Sequence, residues 1–166
     1  MSVLAVVRLP DRVLTRPADA VGEIDDAARR LAVDLVETMR ASPACVGLAA
    51  PQVGVPLRAF VVDVTGHRKA RSCHGTIVMF DPELAGYEGA ELGREGCMSV
   101  PDLTGDVPRP TSVVVRGTAP DGSRFEVEAD AFEARALLHE VDHLDGKLFL
   151  DRVPGPAAVF RRKVYR

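Results

Sequence analysis

The segment from residue 131 to residue 144 limits the fold more than any other part of the chain, because its pattern predicts a helix that is apolar on nearly every side. Its apolar residues are Phe132, Ala134, Ala136, Leu137, Leu138, Val141 and Leu144. A helix with so little polar surface is normally buried inside a domain. Asp130 and Glu133 form a capping-box pattern at its start, and Gly146 is the expected stop.

The other predicted elements can enclose this helix. Residues 23–40 have the apolar spacing of an amphipathic helix, with Asp25 and Asp26 in its first turn. Four short apolar segments are predicted strands: 57–63, 76–80, 112–116 and 124–129. The last two flank a turn sequence at 119–122, which favours a hairpin. We therefore expect an α+β fold in which antiparallel β-sheets surround the central buried helix and the N-terminal helix packs outside.

Length and composition fit one domain. The chain has 166 residues, 46% of them hydrophobic, and a formal net charge of −3. A chain of this length can bury about 70% of its extended surface, so we expect residues 1–166 to form a single domain with a short basic tail from about residue 155.

The apolar start, residues 1–7, is too short for a membrane span and does not resemble a signal peptide. These features predict a cytoplasmic protein with reduced cysteines, and the charge argues against binding nucleic acid over the whole surface.

The buried helix carries three ionisable residues, His139, Glu140 and His143. Two histidines four residues apart lie on the same helical face and can chelate one metal ion, while Glu140 lies within reach of a water molecule on that ion. Polar groups in an apolar helix are costly unless they are compensated, and a divalent ion compensates all three. The alternative is a pair of hydrogen-bonded core histidines.

The third ligand decides the class of metal site. Metallopeptidases with an extended motif have a further histidine where this chain has Phe149, and no glutamate follows Glu140 to serve the other common peptidase arrangement. The ligand is therefore expected upstream, where Cys97 is the best-placed candidate because Gly96 beside it allows close backbone approach. A thiolate with two imidazoles suits Zn²⁺ or Fe²⁺, although an isolated cysteine is more often a small core residue.

Three motifs, in order along the chain, resemble those of the peptide deformylases. They are GLAAPQVG at 47–54, EGCMS at 95–99 and HEVDH at 139–143, and the resemblance extends from about residue 4 to residue 152. This family removes the formyl group from the N-terminal formyl-methionine of nascent bacterial polypeptides. It uses one divalent metal ion, commonly Fe²⁺ and replaceable by Zn²⁺, Ni²⁺ or Co²⁺, held by one cysteine and two histidines. The resemblance implies Cys97, His139 and His143 as the ligands.

The resemblance also implies the catalytic residues. Glu140 would take a proton from the metal-bound water and later pass it to the leaving amine. The side-chain amide of Gln52 and the backbone N–H of Met98 would donate hydrogen bonds to the oxyanion. Gly47, which begins the first motif, belongs to the same catalytic set. The implied partners are the formyl-methionyl nascent peptide and, transiently, the ribosome, with no membrane and no sequence-specific nucleic acid.

Some positions depart from the family pattern. Cys45 stands where glycine is usual, and it could narrow the substrate entrance, oxidise with Cys97 or be a small side chain in a tolerant loop. Leu138 replaces a usual glutamine, which removes one hydrogen bond near the metal, and Thr104 replaces a frequent arginine, while Arg109 is kept. These departures leave a second hypothesis open, a weakened paralogue that binds ribosomes or an inhibitor. A peptidase that cleaves internal bonds is the third.

Two further groups of residues are expected to lie on the surface. Cys73 and His74 are neighbours in the basic loop at 65–75, and adjacent residues rarely chelate one ion together, so we interpret them, with His67, as surface loop residues. The C-terminal residues 161–166 carry four positive charges. They could contact ribosomal RNA, but most basic termini are simply solvated.

Overall fold

The computed structural model describes residues 2–162. In this part of the chain two antiparallel sheets and two α-helices form the fold. The helices are α1 (Asp26–Ala41) and α2 (Ala131–Leu144). The strands are β1 (Gly47–Ala49), β2 (Ala59–Val62), β3 (Ile77–Glu88), β4 (Glu91–Cys97), β5 (Val100–Arg109), β6 (Ser112–Thr118), β7 (Arg124–Asp130) and β8 (Val159–Arg161). One sheet has the strand order β1-β2-β3-β6-β7 and the other the order β4-β5-β8.

The five-stranded sheet separates the two helices. Strand β2 is buried at every position, and its side chains alternate between the two faces of the sheet. Phe60 and Val62 pack with the apolar residues of α2, whereas Ala59 and Val61 pack with those of α1. The prediction of a central buried helix, with the N-terminal helix packed outside, is therefore confirmed.

Helix α2 has the predicted bounds, but the predicted capping box is wrong. The side chain of Asp130 makes no cap hydrogen bond, and it accepts instead from the backbone N–H of Ser72 at 2.9 Å. Glu133 also faces the loop at 65–75, where Ser72 Oγ donates to its carboxylate at 2.8 Å. Both carboxylates therefore hold this loop rather than the start of the helix.

Helix α1 starts three residues later than predicted. Asp25 is its N-cap, because its carboxylate accepts a hydrogen bond from the backbone N–H of Ala28 at 2.8 Å. Glu23 consequently lies before the helix. The predicted strand at 76–80 continues to residue 88, because its second half pairs with β6 after an irregularity near Asp81, whose φ angle is +49°.

The three-stranded sheet contains segments that were not predicted as strands. Residues 91–109 form the β4–β5 hairpin, with Met98 and Ser99 in its turn. Strand β8 pairs with β5, so the chain beyond residue 155 is not a free tail up to residue 161. Residues 163–166 of the basic terminus lie outside the described residues. Neither of the described α-helices combines the length and apolar character needed to cross a membrane.

Candidate metal centre

The end of β4 meets the face of α2 that carries both histidines. One ligand atom each from Cys97, His139 and His143 lies within 4.8 Å of the other two, and Cys97 Sγ is 3.3 Å from His143 Nε2. Cys97 and His143 are buried, and the His139 side chain is 12% exposed. The structure thus brings the three predicted ligands together from one strand and one helix.

Glu95 orients His139. Its Oε1 lies 2.8 Å from His139 Nδ1, which leaves His139 Nε2 free to face the centre. A carboxylate behind a histidine in this way fixes its tautomer and its direction, which is the usual arrangement around metal sites. Sequence reasoning gave Glu95 no role, although the residue is part of the second motif.

Two arginines hold the Glu95 carboxylate. Arg109 donates to it through two nitrogens, at 2.9 and 3.0 Å, and Arg135 donates at 2.8 Å. Arg109 also donates to Asp142 at 2.6 Å, so this one buried guanidinium connects β4 to α2. Burial alone would raise the pKa of Glu95, but the hydrogen bonds from His139 and Arg109 hold it well below its ordinary value.

The two histidines have opposite electrostatic environments. Burial would lower the pKa of His139, but hydrogen bonds to Cys97 and Glu95 raise it well above 6.5, so this position favours a positive charge. Burial and the charge of His139 keep the pKa of His143 well below 6.5, so this ring stays neutral. A thiol, a neutral imidazole and a second imidazole in a field that favours a cation are a donor set that fits a divalent ion.

Glu140 lies beside this centre with an unused oxygen. Its Oε2 is buried and has no hydrogen-bond partner among the described residues. Burial raises the pKa of Glu140 to about 7. A carboxyl group with this pKa can both accept and release a proton near neutral pH. Gly47 allows it to lie close to β1, since a Cβ on Gly47 would be 3.1 Å from Glu140 Oε1.

Gln52 is buried beside Cys97 and is not exposed as loop amides usually are. Its Oε1 accepts from the backbone N–H of Ala49 at 2.9 Å, which fixes the orientation of the amide. Its Nε2 donates towards Cys97 Sγ at 3.4 Å and Ser99 Oγ at 3.2 Å. An N–H donor is thus held near the proposed ligands.

A cavity of about 360 Å³ opens onto this centre. Its walls include Gly47, Gln52, Cys97, Met98, His139 and Glu140. All the predicted catalytic residues and two of the three predicted metal ligands therefore line one cavity. The third ligand, His143, is buried behind it. A cavity of this volume can accommodate the first few residues of a peptide.

Cys45 borders the cavity, and its thiol donates to the carbonyl oxygen of Gly47 at 3.1 Å. Burial raises the pKa of this thiol to about 11, so the thiolate that oxidation requires is scarce at neutral pH.

Leu138 is buried in the core around α2. Glu95 holds His139 in its present direction without any polar group at position 138.

The loop at 65–75 lies on the surface as predicted, and two of its histidines also contact α2. His67 stacks on Phe132 with ring centroids 3.8 Å apart. His74 contacts Glu133 through its ring at 2.6 Å and its backbone N–H at 2.8 Å. These residues therefore attach the loop to α2, whereas Cys73 is exposed as expected.

Comparisons with known proteins show similarity over nearly the whole chain. A family model described as polypeptide deformylase matches residues 3–158. A protein of Thermodesulfovibrio yellowstonii named peptide deformylase is 40% identical over 164 residues, which cover 98% of this chain and 97% of the relative. A protein of the same name from Desulforudis audaxviator is 42% identical over 164 residues, covering 98% and 99%.

Solved structures with the same name have a similar fold. The peptide deformylase of Thermotoga maritima has a TM-score of 0.84 and 31% identity, covering 93% of this chain and all of the other. That of Ehrlichia chaffeensis, solved in complex with actinonin, has a TM-score of 0.86 and 34% identity, covering 92% of this chain and 90% of the other.

Proposed function

The chain belongs to the polypeptide deformylase family, and we propose that Cys97, His139 and His143 hold the divalent ion with which it removes the formyl group from N-formylmethionyl polypeptides. The observation that carries this assignment is the convergence of these three side chains, two of which line one cavity with Glu140. The reaction is hydrolysis of the formyl amide, which releases formate and a free amino terminus.

One thiolate and two imidazoles suit Fe²⁺, Zn²⁺, Ni²⁺ and Co²⁺ alike, and the resemblance to the deformylases, which commonly use Fe²⁺, favours Fe²⁺ as the native ion. When bound, the ion acts as a Lewis acid that polarises the formyl carbonyl and lowers the pKa of water. Glu95, held by Arg109 and Arg135, keeps His139 in the tautomer that can bind it.

Glu140 moves the proton in this proposal. Its unpartnered Oε2 accepts a proton from the attacking water and delivers it to the amine nitrogen as the bond from carbon to nitrogen breaks. Its raised pKa, about 7, suits both transfers. Gly47 contributes by having no side chain, so that the Glu140 carboxylate can lie close to the substrate.

Gln52 and Met98 stabilise the developing negative charge on the formyl oxygen. The Gln52 amide, fixed by the Ala49 N–H, donates from its Nε2, and the Met98 backbone N–H donates from the turn that follows Cys97. Loss of one such donor typically costs about 10²–10³ in rate. The departures at positions 45, 104 and 138 leave all of these groups in place.

The cellular setting follows from the substrate. We propose that the protein acts in the cytoplasm on nascent chains, in transient contact with the ribosome and without reading nucleic acid sequence.

The decisive experiment measures formate release and metal content on the same sample. Protein loaded anaerobically with Fe²⁺ is expected to release formate from formyl-Met-Ala-Ser. Glu140→Gln is expected to keep the metal and lose at least about 10²-fold in kcat. The assignment of Glu140 would be wrong if this variant worked as well as the parent protein, and release of internal peptide fragments would indicate a peptidase instead.

A further inference from the structure

We propose, on the basis of the function above, that three cations at the mouth of the cavity select polypeptides with acidic side chains at the third and fourth positions, counted from formyl-methionine. The three residues are Arg68, Lys69 and Arg162, and all of them line the cavity that contains the proposed metal ligands. We call them the mouth cations.

Arg162 reaches the mouth because of the strand pairing of β8. Thr104 of β5 pairs with Phe160, and the backbone N–H of Arg162 donates to the carbonyl oxygen of Asp102 at 2.9 Å. Its guanidinium lies over Gly96, where any side chain would collide with Nη2, and the methyl group of Thr104 borders the same space. A cation from the end of the described chain is therefore placed beside the residue that precedes Cys97.

Arg68 and Lys69 reach the mouth on an anchored loop. The stacking of His67 on Phe132 fixes the loop just before them. The backbone N–H of Lys69 donates to His67 Nδ1 at 3.2 Å, and Ser72 binds Glu133 just after them. Both side chains are exposed on a backbone that α2 holds in place.

The charges around the cavity do not cancel. Its acidic residues are Glu95 and Glu140, and the former is already paired with Arg109 and Arg135. Arg94 is also paired, with Asp106 at 2.8 Å.

By contrast, no mouth cation has an acidic partner among residues 2–162. The chain as a whole has a net charge of −3, so this positive field is a local property of the entrance. Such a field attracts acidic segments of a peptide that enters the site.

A peptide explains this arrangement better than RNA does. The mouth cations line the same cavity as the proposed metal ligands, so a nucleic acid bound to them would obstruct the entry of the substrate. An extended peptide rises about 3.3 Å per residue, and we assign its third and fourth residues, which follow the formyl-methionine out of the cavity, to these side chains.

The test compares kcat/KM for three amidated peptides: formyl-Met-Ala-Asp-Asp, formyl-Met-Ala-Ser-Ser and formyl-Met-Ala-Lys-Lys. At low ionic strength we expect the acidic peptide to be favoured over the neutral one by about fivefold and the basic peptide to be disfavoured by a similar factor. The difference should be in KM, and it should shrink when the salt concentration is raised to 0.5 M.

Variants identify the groups responsible. Arg162→Gln and the double variant Arg68→Gln/Lys69→Gln should each reduce the preference for the acidic peptide while leaving kcat for the neutral peptide unchanged. Arg30→Gln, which changes an exposed arginine on α1 far from the motifs, is the matched control and should keep the preference.

The outcomes separate the two proposals. Absence of formate release from all three peptides would overturn the proposed function. Release at equal kcat/KM from all three would overturn the charge selection alone. A short RNA that inhibits the parent protein but not the variants, together with equal kcat/KM for the peptides, would assign the mouth cations to nucleic acid and also refute this inference.

Discussion

At the scale of single residues, Glu95 connects three ionisable side chains of the site, although the sequence analysis assigned it no role. It receives hydrogen bonds from His139, Arg109 and Arg135, and it stands two positions before Cys97. The same carboxylate therefore sets the direction of one proposed ligand and, through β4, the position of another. Its negative charge also offsets part of the positive charge that a bound ion would bring.

The first prediction concerns Glu95→Gln. The amide can still accept from His139, but it brings no negative charge to the centre, so we expect the affinity for Zn²⁺ to fall about 10–100-fold. Competition with a chelator of known affinity measures this on protein whose folding is checked by circular dichroism. Glu128→Gln on the exposed face of β7 is the control and should bind as the parent does. Equal affinities in both variants would contradict the role of Glu95.

The second prediction concerns the pH dependence of stability in the metal-free protein. The pKa of Glu140 is about 7 in the folded state because of burial, against 4.5 as its ordinary value. The folded state thus binds the proton more tightly, and this stabilisation is complete below pH 4.5 and is lost as the pH rises to about 7. Over that range the free energy of unfolding should fall by about 3 kcal/mol from this group.

Glu140→Gln tests the sign of this effect. A glutamine does not titrate, so the variant should gain stability relative to the parent as the pH rises from 4.5 to 7, with no further change above that. Urea unfolding of both metal-free proteins at pH 5, 6, 7 and 8 measures the difference. A difference that is constant with pH would show that Glu140 is not protonated in the folded protein.

Much of the candidate site could be predicted from single residues, because motifs of a few adjacent positions carry it. Cys97, His139 and His143 were found in this way, and the structure brings them together. The role of Glu95 was missed because its partners are 14, 40 and 44 positions away. Arg162 was missed for the same reason, since only the pairing of β8 with β5 places it at the cavity.

At the scale of elements, the loop at 65–75 depends on one buried carboxylate. Glu133 is fully buried in α2 and accepts hydrogen bonds from Ser72 and from the ring and backbone of His74. In the sequence this glutamate looks like the second half of a capping box. Its actual partners lie about 60 positions away, which explains why local pattern reasoning assigned it to the helix.

The third prediction is that Glu133→Ala releases this loop. The variant leaves His74 and Ser72 without their acceptor, so we expect the free energy of unfolding to fall by about 2 kcal/mol. Trypsin should also cut faster after Arg68, Lys69 and Arg71 under native conditions. Glu126→Ala, on an exposed position of β7, should change neither quantity much. Unchanged cleavage in Glu133→Ala would show that the loop is held by other contacts.

Helices and strands rich in apolar residues could be predicted from the sequence more accurately than polar ones. Helix α2 was predicted to the residue, because an uninterrupted apolar pattern is followed by Gly146 with its φ angle of +76°. The β4–β5 hairpin was not predicted, because its segment is mostly polar and exposed along β4. Such strands are held by backbone pairing and not by a buried face, so their sequences carry little periodicity.

At the scale of the whole molecule, the proposed metal ion would join parts of the fold that are far apart in sequence. Cys97 belongs to the three-stranded sheet, while His139 and His143 belong to the helix that packs against the five-stranded sheet. An ion that binds the folded state alone stabilises it by about 4 kcal/mol at a thousandfold excess over its dissociation constant.

The fourth prediction follows from this linkage. Removal of the ion with a chelator should lower the melting temperature by several degrees, by about 5–15 °C for a chain of this size. Restored Zn²⁺ or Ni²⁺ should reverse the change. Cys97→Ser should melt at the temperature of the chelated parent and respond little to either treatment. Scanning calorimetry on matched samples measures these melting temperatures. If the chelator left the melting temperature of the parent protein unchanged, a metal at this centre would be excluded.

Arg109 affects how the proposed metal centre would bind its ion. Its guanidinium connects strand β4, which ends at Cys97, to the helix that carries the histidines, through Glu95 on one side and Asp142 on the other. This network of side chains holds the three proposed ligands, Cys97, His139 and His143, close together. We therefore expect the ion to enter and exchange in the already folded protein, so that the supply of ions in the cell decides which one is bound.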